Sequence, residues 1–397
     1  MNLLYTSTAY PPTTGGAQLH QHMLARQLVK RHQLQVITHW DQDRQDWLLG
    51  TTLRAPQESC QYVIDGVPVH RMGITAAEKR RLILPVLLYY PLMNYSVRVI
   101  AQLLESHLAH HAGEADLIHN VRIGREGLSY ASLQLARRKG IPFVFTPVHH
   151  PRWVGWRYNT YLALYKAADA VVALTESEKA TLTYLGVTPE QIFVTGHGPV
   201  LAEHVSTEDF SIKHGIDGPF VLFLGQHYPY KGYRQLLEAT PLVWRRYPEV
   251  HFVFIGPPKG DSERHFQAQQ DGRVHRLGKV DLQVKTDALA ACTLLCVPST
   301  QESFGGVYTE AWMFKKPVIG CNIPAVAEVV TDEVDGYLVE QAAGEIAERI
   351  LTLLAAPAVA SQMGEAGHHK VHQKYTWPQL AAQTEQVYST LLTKGRL

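Results

Sequence analysis

Pro298-Ser299-Thr300-Gln301-Glu302-Ser303-Phe304-Gly305-Gly306-Val307-Tyr308-Thr309-Glu310-Ala311 reads as a strand-to-helix junction, and the fold follows from it. The apolar run Thr293 to Val297 ahead of it reads as a strand that Pro298 ends. A helix is expected to begin near Gly306. Gly305-Gly306 lets backbone approach a ligand closely. The first N–H groups of the helix and its positive dipole end would face whatever lies beside Glu302. That suits an anion, most simply a phosphate. On one continuous helix, the offset from Glu302 to Glu310 would span roughly 12 Å. Paired glycosidase carboxylates stand roughly 5–9.5 Å apart. The spacing therefore favours two groups holding opposite ends of one elongated ligand, with its phosphates between them.

Outward from this junction, short apolar runs alternate with longer helical patterns. In the first half the strands read as Leu3–Ser7, Leu34–Thr38, Leu117–Asn120, Phe143–Thr146 and Ala170–Leu174. In the second half they read as Phe220–Leu224, His251–Ile255, Leu294–Val297 and Pro317–Gly320. Helical patterns fill the gaps, among them Ala17–Arg31, Leu128–Lys139 and Tyr233–Tyr247. This is the βαβ rhythm of doubly wound α/β domains. Polar, Pro/Gly-bearing sequence from Gly196 to Gly218 reads as a linker, which gives domains at 1–202 and 203–376. Residues 377–397 carry a C-terminal helical pattern, and residues 72–100 read as a less regular insertion.

The segment 298–311, continued through Trp312-Met313-Phe314-Lys315-Lys316-Pro317-Val318-Ile319-Gly320, resembles the E-x7-E region of retaining nucleotide-sugar glycosyltransferases of family four. That resemblance implies the GT-B fold, with two Rossmann-like doubly wound domains facing across a cleft and a C-terminal helix returning to the N-terminal domain. It implies that Glu302 binds donor-sugar hydroxyls and Glu310 the nucleotide ribose, with Ser303, Phe304, Gly305, Gly306 and Val307 lining the donor between them. Without the resemblance, two surface glutamates flanking a tight turn is the plain alternative.

Three further segments follow predicted strands, where a ligand of such a fold binds. Gly225-Gln226-His227-Tyr228-Pro229-Tyr230-Lys231-Gly232 resembles the family's G-R-x4-K-G element, whose Arg and Lys neutralise the donor diphosphate. Lys231 matches, but Gln226 stands at the Arg position and keeps donors without the fixed charge. Tyr10-Pro11-Pro12-Thr13-Thr14-Gly15-Gly16-Ala17 places Gly15 and Gly16 where the family has a glycine-rich loop. Pro147-Val148-His149-His150-Pro151 falls where the family places a His near the reaction centre. His150 is the first choice and His149 the second.

Charge is nearly balanced at +1, which argues against a general nucleic-acid binder. Residues 1–200 hold 19 Lys/Arg against 14 Asp/Glu, which would favour an anionic acceptor or membrane surface on that half. Four cysteines without C-x-x-C or zinc spacing fit a reduced, cytoplasmic protein. The N-terminus reads as a buried first strand, not a signal peptide. No apolar run reaches the length of a spanning helix. Glu78-Lys79-Arg80-Arg81 before Leu82-Ile83-Leu84-Pro85-Val86-Leu87-Leu88-Tyr89-Tyr90 suggests peripheral contact with the inner face of a membrane through 79–90. A core helix with a charged cap is the alternative. The histidines at 107, 110 and 111, and at 368, 369 and 372, lack a metal-site signature. Asp41-Gln42-Asp43 reads as a solvated loop. No metal and no cofactor is expected; the nucleoside diphosphate sugar is a co-substrate.

The resemblance implies a retaining, metal-independent transferase that moves a hexosyl unit from a nucleoside diphosphate sugar to an acceptor hydroxyl, on a glycan or a lipid-linked molecule. Glu302, Lys231 and His150 or His149 would be its catalytic residues. A nucleotide-sugar epimerase of the same fold and a non-catalytic nucleotide-sugar-binding protein are the rival classes.

Overall fold

The computed structural model describes residues 1–13, 15–42, 52–121, 127–149, 153 and 155–394. The chain divides into two compact units, Met1–Gly196 with Trp377–Leu397, and His197–Thr376.

The first unit is built on an eight-stranded sheet. Its strands are β1 (Asn2–Thr6), β2 (Gln33–Thr38), β3 (Cys60–Ile64), β4 (Val67–Arg71), β5 (Leu117–Val121), β6 (Phe143–Thr146), β7 (Ala170–Ala173) and β8 (Ile192–Val194). Their order is β3-β4-β2-β1-β5-β6-β7-β8. Every neighbouring pair is parallel except β3 with β4. That hairpin turns at Asp65-Gly66, both at positive φ (48° and 77°). Asp-Gly favours this turn because its twist matches that of the flanking strands. The central strands are buried along most of their length, since helices cover both faces of a parallel sheet. Leu4, Val36, Ile118 and Val144 are all fully buried.

Residues 72–100 are not an irregular insertion. They form the helix Ala76–Leu87 and the start of the helix Met93–His111. Thr75 and Glu78 close a capping box at the first of these. Leu82, Val86, Val97 and Ile100 then bury their side chains in the core of the unit. The C-terminal helix Trp377–Lys394 packs on the helix Gly16–Leu28. Its Tyr388 hydroxyl lies 2.6 Å from the Tyr5 hydroxyl and 2.5 Å from His119 Nδ1. His119 Nε2 continues to Thr146 Oγ1 at 2.7 Å. Burial pushes the His119 imidazole down to about 3, so this buried node is neutral.

The second unit carries β9 (Phe220–Leu224), β10 (His251–Ile255), β11 (Val274–Gly278), β12 (Leu294–Val297), β13 (Val318–Cys321) and β14 (Gly336–Val339). All pairs are parallel, in the order β11-β10-β9-β12-β13-β14. Strand order reverses between β9 and β12, and such a switch point opens a crevice beyond the carboxyl ends of the strands. The segment from 197 to 218 is not a free linker. It holds the helix Thr207–His214 and belongs to the second unit. Its backbone is tied down: Ala202 N–H donates to Thr286 Oγ1 at 2.9 Å and Ser206 N–H to Asp287 Oδ1 at 2.8 Å.

Candidate functional site

The loops after β9 and β12 flank the switch point and are knitted together. Thr300 N–H donates to the Tyr230 carbonyl at 2.8 Å. Gln341 Nε2 donates to the carbonyls of Tyr230 (3.0 Å) and Pro298 (2.7 Å). Gly232 lies at φ 80°, and a Cβ there would come within 2.4 Å of the Pro298 carbonyl. Only glycine permits that approach. Across this seam the Lys231 ammonium meets Glu302 Oε1 at 2.5 Å, with the two side chains 20% and 12% exposed. Two residues 71 positions apart in sequence are thereby joined as one ion pair.

Glu302 lies before the helix Gly306–Trp312, so the two glutamates do not share one helix. Gly305 caps that helix in the left-handed region at φ 86°, and a Cβ there would strike the Tyr308 ring at 2.5 Å. Tyr308 in turn donates its hydroxyl to the Val297 carbonyl at 2.8 Å, which pins the helix to β12. Burial, with the Glu302 charge second, holds the Tyr308 phenol well above its ordinary value, so it stays protonated as a donor. Phe304 is buried between His197, stacked at 5.8 Å, and Tyr375, edge-on at 5.3 Å. Gly306 faces the His197 ring, and a Cβ there would press on it at 3.2 Å. Ser303 and Val307 are half-buried beside them.

Glu310 is almost fully buried, and its charge is compensated. Oε1 accepts from the Lys285 ammonium at 2.7 Å and from Val200 N–H at 3.4 Å. Lys285 also donates to the Val200 carbonyl at 2.7 Å. A buried carboxylate needs such partners to remain ionised. Gly225 packs its carbonyl where a Cβ on Gly256 would stand, within 1.9 Å, so the loops after β9 and β10 run in direct contact. Gln226 is exposed in this loop. His227 beside it is buried among Phe223, Tyr233 and Phe266. Burial brings the His227 imidazole down to about 4.

In the first unit, Gly15 and Gly16 start the helix Gly16–Leu28 after β1, and nothing stands within 4 Å of where a Gly16 Cβ would point. His149 follows β6. It is buried, with its ring near the Tyr165 hydroxyl (3.3 Å) and edge-on to Trp153. Its backbone N–H donates to Glu178 Oε1 at 2.7 Å, and Leu174 N–H donates to Glu178 Oε2 at 2.7 Å. Val148 before it sits at φ 46°, a left-handed conformation that β-branched residues avoid and that marks local strain. His150, the first choice from sequence, lies outside the described residues, as does Asp43. Asp41 pairs with Arg71 at 3.3 Å. Among the described residues, no group of three His, Cys, Asp or Glu side chains converges as a metal site. None of their helices is long and apolar enough to cross a membrane.

Lys285, Gln341, His197 and Glu178 went unnoticed in the sequence. Each reaches its partner from a distant element, and no local spacing announces it.

Two parallel-sheet Rossmann-like domains with this switch-point site define the GT-B class. The solved Anabaena protein HepE in complex with UDP and glucose shares the fold, with a TM-score of 0.75 at 19% identity over 98% of this chain and all of that one. Two family profiles match in tandem: "Glycosyl transferase 4-like domain" over residues 15–198 and "Glycosyl transferases group 1" over residues 218–356. The chain therefore belongs to the group 1, family-four glycosyl transferases. It is 31% identical over 185 residues to the phosphatidyl-myo-inositol mannosyltransferase of Mycobacterium tuberculosis, a match covering 45% of this chain and 49% of the relative. It is 25% identical over 313 residues to the MMP alpha-(1→4)-mannosyltransferase of Mycolicibacterium hassiacum, covering 72% of this chain and 73% of the relative. The chain thus spans about half the length of the phosphatidyl-myo-inositol mannosyltransferases that it matches.

Proposed function

We propose that this chain is a retaining, metal-independent hexosyltransferase using a nucleoside diphosphate sugar. The observation that carries the reading is the Lys231–Glu302 pair at the switch point, beside the Gly305-Gly306 turn. In the reaction, the bond from the anomeric carbon to the diphosphate oxygen breaks and a bond to the acceptor oxygen forms. The acceptor's hydroxyl proton passes to the departing diphosphate. Lys231 stabilises the charge that develops on that leaving group. Glu302 accepts hydrogen bonds from sugar hydroxyls and orients the ring for same-face attack. Glu310, held in place by Lys285, accepts from the ribose hydroxyls. By the family resemblance, His149 or His150 is the candidate histidine for the reaction centre.

A lipid-linked acceptor fits the first unit best. On and after the helix Ala76–Leu87, the side chains of Ile83, Leu84, Leu87 and Tyr90 are exposed, Leu87 by 68%. Arg80 and Arg81 are exposed among them, and Arg157 stacks over Tyr90 and Trp156. An apolar ridge edged with arginines suits an interface rich in anionic lipid. The name of the phosphatidyl-myo-inositol mannosyltransferase above points the same way. On this reading the chain works peripherally, at the inner face of a membrane.

The test is product analysis with a panel of labelled nucleotide sugars, with and without vesicles containing phosphatidylinositol. Transfer to an extractable acceptor with the donor's anomeric configuration kept, unaffected by EDTA, is expected. Donor epimerised without acceptor, inverted product or strict metal dependence would refute the reading. Glu310→Ala should weaken nucleoside diphosphate binding by about 1.5–3 kcal/mol. Unchanged affinity would reject its ribose role.

A further inference from the structure

Among the described residues, several cations of the second unit are already paired. Lys231 faces Glu302, Lys285 faces Glu310, Arg234 faces Asp261 and Arg276 faces Glu263. Each of these cations is already matched by a carboxylate. A bound nucleoside diphosphate brings roughly two or more negative charges at neutral pH. Position 226, on the loop after β9, offers only an uncharged, exposed amide.

Lys259 stands differently. It lies on the loop after β10, the neighbour of β9 on the side away from β12. The two loops touch: His227 N–H donates to the Pro257 carbonyl at 3.1 Å, and Gly225 N–H to the Ile255 carbonyl at 2.9 Å. The Lys259 ammonium lies 5.9 Å from the centre of the Tyr228 ring. That ring stacks on Tyr230 at 5.2 Å and 14°, and Lys231 lies 5.7 Å from Tyr230. Lys259, Tyr228, Tyr230 and Lys231 thus form a ladder along one rim of the candidate donor loop. At the Lys259 end the cation rests on an aromatic face, which holds it without neutralising it. Ser262 Oγ accepts from the Lys259 backbone N–H at 3.0 Å, which steadies the stem of that side chain.

Resting on the donor-site reading above, we propose that Lys259 supplies the second positive charge for the donor diphosphate. It fills the role that the uncharged side chain of Gln226 leaves vacant. The stacked tyrosines join the two lysines along one loop. Specificity follows: the site should discriminate a nucleoside diphosphate from a nucleoside through Lys259.

The experiment is calorimetric titration of the full chain with a nucleoside and with its diphosphate, for wild type, Lys259→Ala, Lys259→Arg and Gln226→Arg/Lys259→Ala. The base is the one whose nucleotide sugar serves as donor. Lys259→Ala should bind the diphosphate about tenfold more weakly, with nucleoside affinity unchanged. Lys259→Arg should retain most of the diphosphate affinity. Gln226→Arg should restore it in the alanine background, which a bracing role of Lys259 under Tyr228 would not allow. Equal losses for nucleoside and diphosphate, no loss at all, or failure of Gln226→Arg to rescue would overturn the proposal. If wild type binds no nucleoside diphosphate, the donor-site reading falls with it. If wild type binds normally and Lys259→Ala matches it, only the role of Lys259 falls. Circular dichroism and melting temperature should match across the set, because position 259 lies on a surface loop.

Discussion

The loop after β12 and the loop after β6 solve the same problem by opposite means. The first is made of charge: Glu302 and Glu310 each meet a lysine from another element, and glycines bring the backbone close. The second is made of constraint. Val148 is held at φ 46°, His149 is buried among Tyr165 and Trp153, and Glu178 fastens the loop through backbone N–H groups. Among the described residues, the Glu178 charge there serves the main chain. On the reading proposed above, the β12 side would stabilise a developing anion, whereas the β6 side would set backbone geometry. Substitutions should therefore split into those that change leaving-group chemistry and those that change geometry.

The largest expected effect belongs to Lys231. Lys231→Ala removes the cation facing the departing diphosphate and leaves Glu302, 12% exposed, without its partner. Turnover should drop by roughly 100-fold or more, a loss of at least about 2.7 kcal/mol of transition-state stabilisation. Lys231→Arg should recover part of it, because charge is kept while the fork geometry differs. Single-turnover rates at saturating donor decide this. Near-normal turnover by the alanine variant would end the charge-based account of the β12 side.

Next comes Glu178, on the constraint side. Both of its carboxylate oxygens accept backbone N–H groups, from His149 and Leu174, and its own N–H is capped by Thr175 Oγ1. Glu178→Gln turns one acceptor into a donor and leaves one buried N–H unmatched. Stability should fall by about 1–3 kcal/mol. Turnover should fall by about tenfold as the loop loses its position, with nucleotide affinity unchanged. Denaturant melts, titration and turnover measured on the same preparation check the split. A loss of nucleotide affinity equal to the loss of turnover would erase the contrast between the two loops.

How far this was legible in the sequence depends on where each residue lies. Central strands such as β9, β10 and β12 are apolar on both faces, so their runs stand out. Strands β11, with polar His275 and Arg276, and β8, only Ile192–Val194, lie at sheet edges and carry no such run. The hairpin β3–β4 did carry a local signal in Asp65-Gly66, but it falls in the stretch least like the family. Helix 76–87 was legible only as the alternative to membrane contact, because Pro85 interrupts a long amphipathic pattern. Pro85 lies inside the helix near its C-terminal end, where it removes one intrahelical donor. In the candidate site, Glu302, Lys231, Gly305 and Glu310 could be singled out because they fall in two contiguous segments that resemble the family's motifs. Lys285, Gln341 and Glu178 were not, because tertiary packing alone brings them to Glu310, Tyr230 and His149.

At neutral pH the smallest effect should come from His227, which sits in the charged loop yet behaves as an apolar core residue. Both ring nitrogens are buried without a hydrogen-bond partner, and three aromatic rings surround it. Replacing such a group by an apolar one of similar shape costs little, so His227→Phe should shift stability at pH 8 by less than about 1 kcal/mol. The informative quantity is the dependence on pH. The folded-state value is depressed to about 4 from an ordinary 6.5, with burial as the main cause and the Arg276 charge second. Above pH 6.5 the ring is neutral in both states and contributes no slope. As pH falls from 6.5 towards 4 the unfolded chain takes up the proton and the folded chain does not, so wild-type stability declines. Below about 4 both states are protonated and the slope ends. The phenylalanine variant lacks this contribution and should gain on wild type across that window. Urea melts of both proteins at half-unit intervals from pH 8 to pH 4 measure the difference, in which contributions shared by the two proteins cancel. A parallel pair of profiles would mean that His227 binds its proton equally in both states. A large loss at pH 8 would mean that a ring nitrogen holds a partner, such as a buried water, and that the charged loop extends to His227.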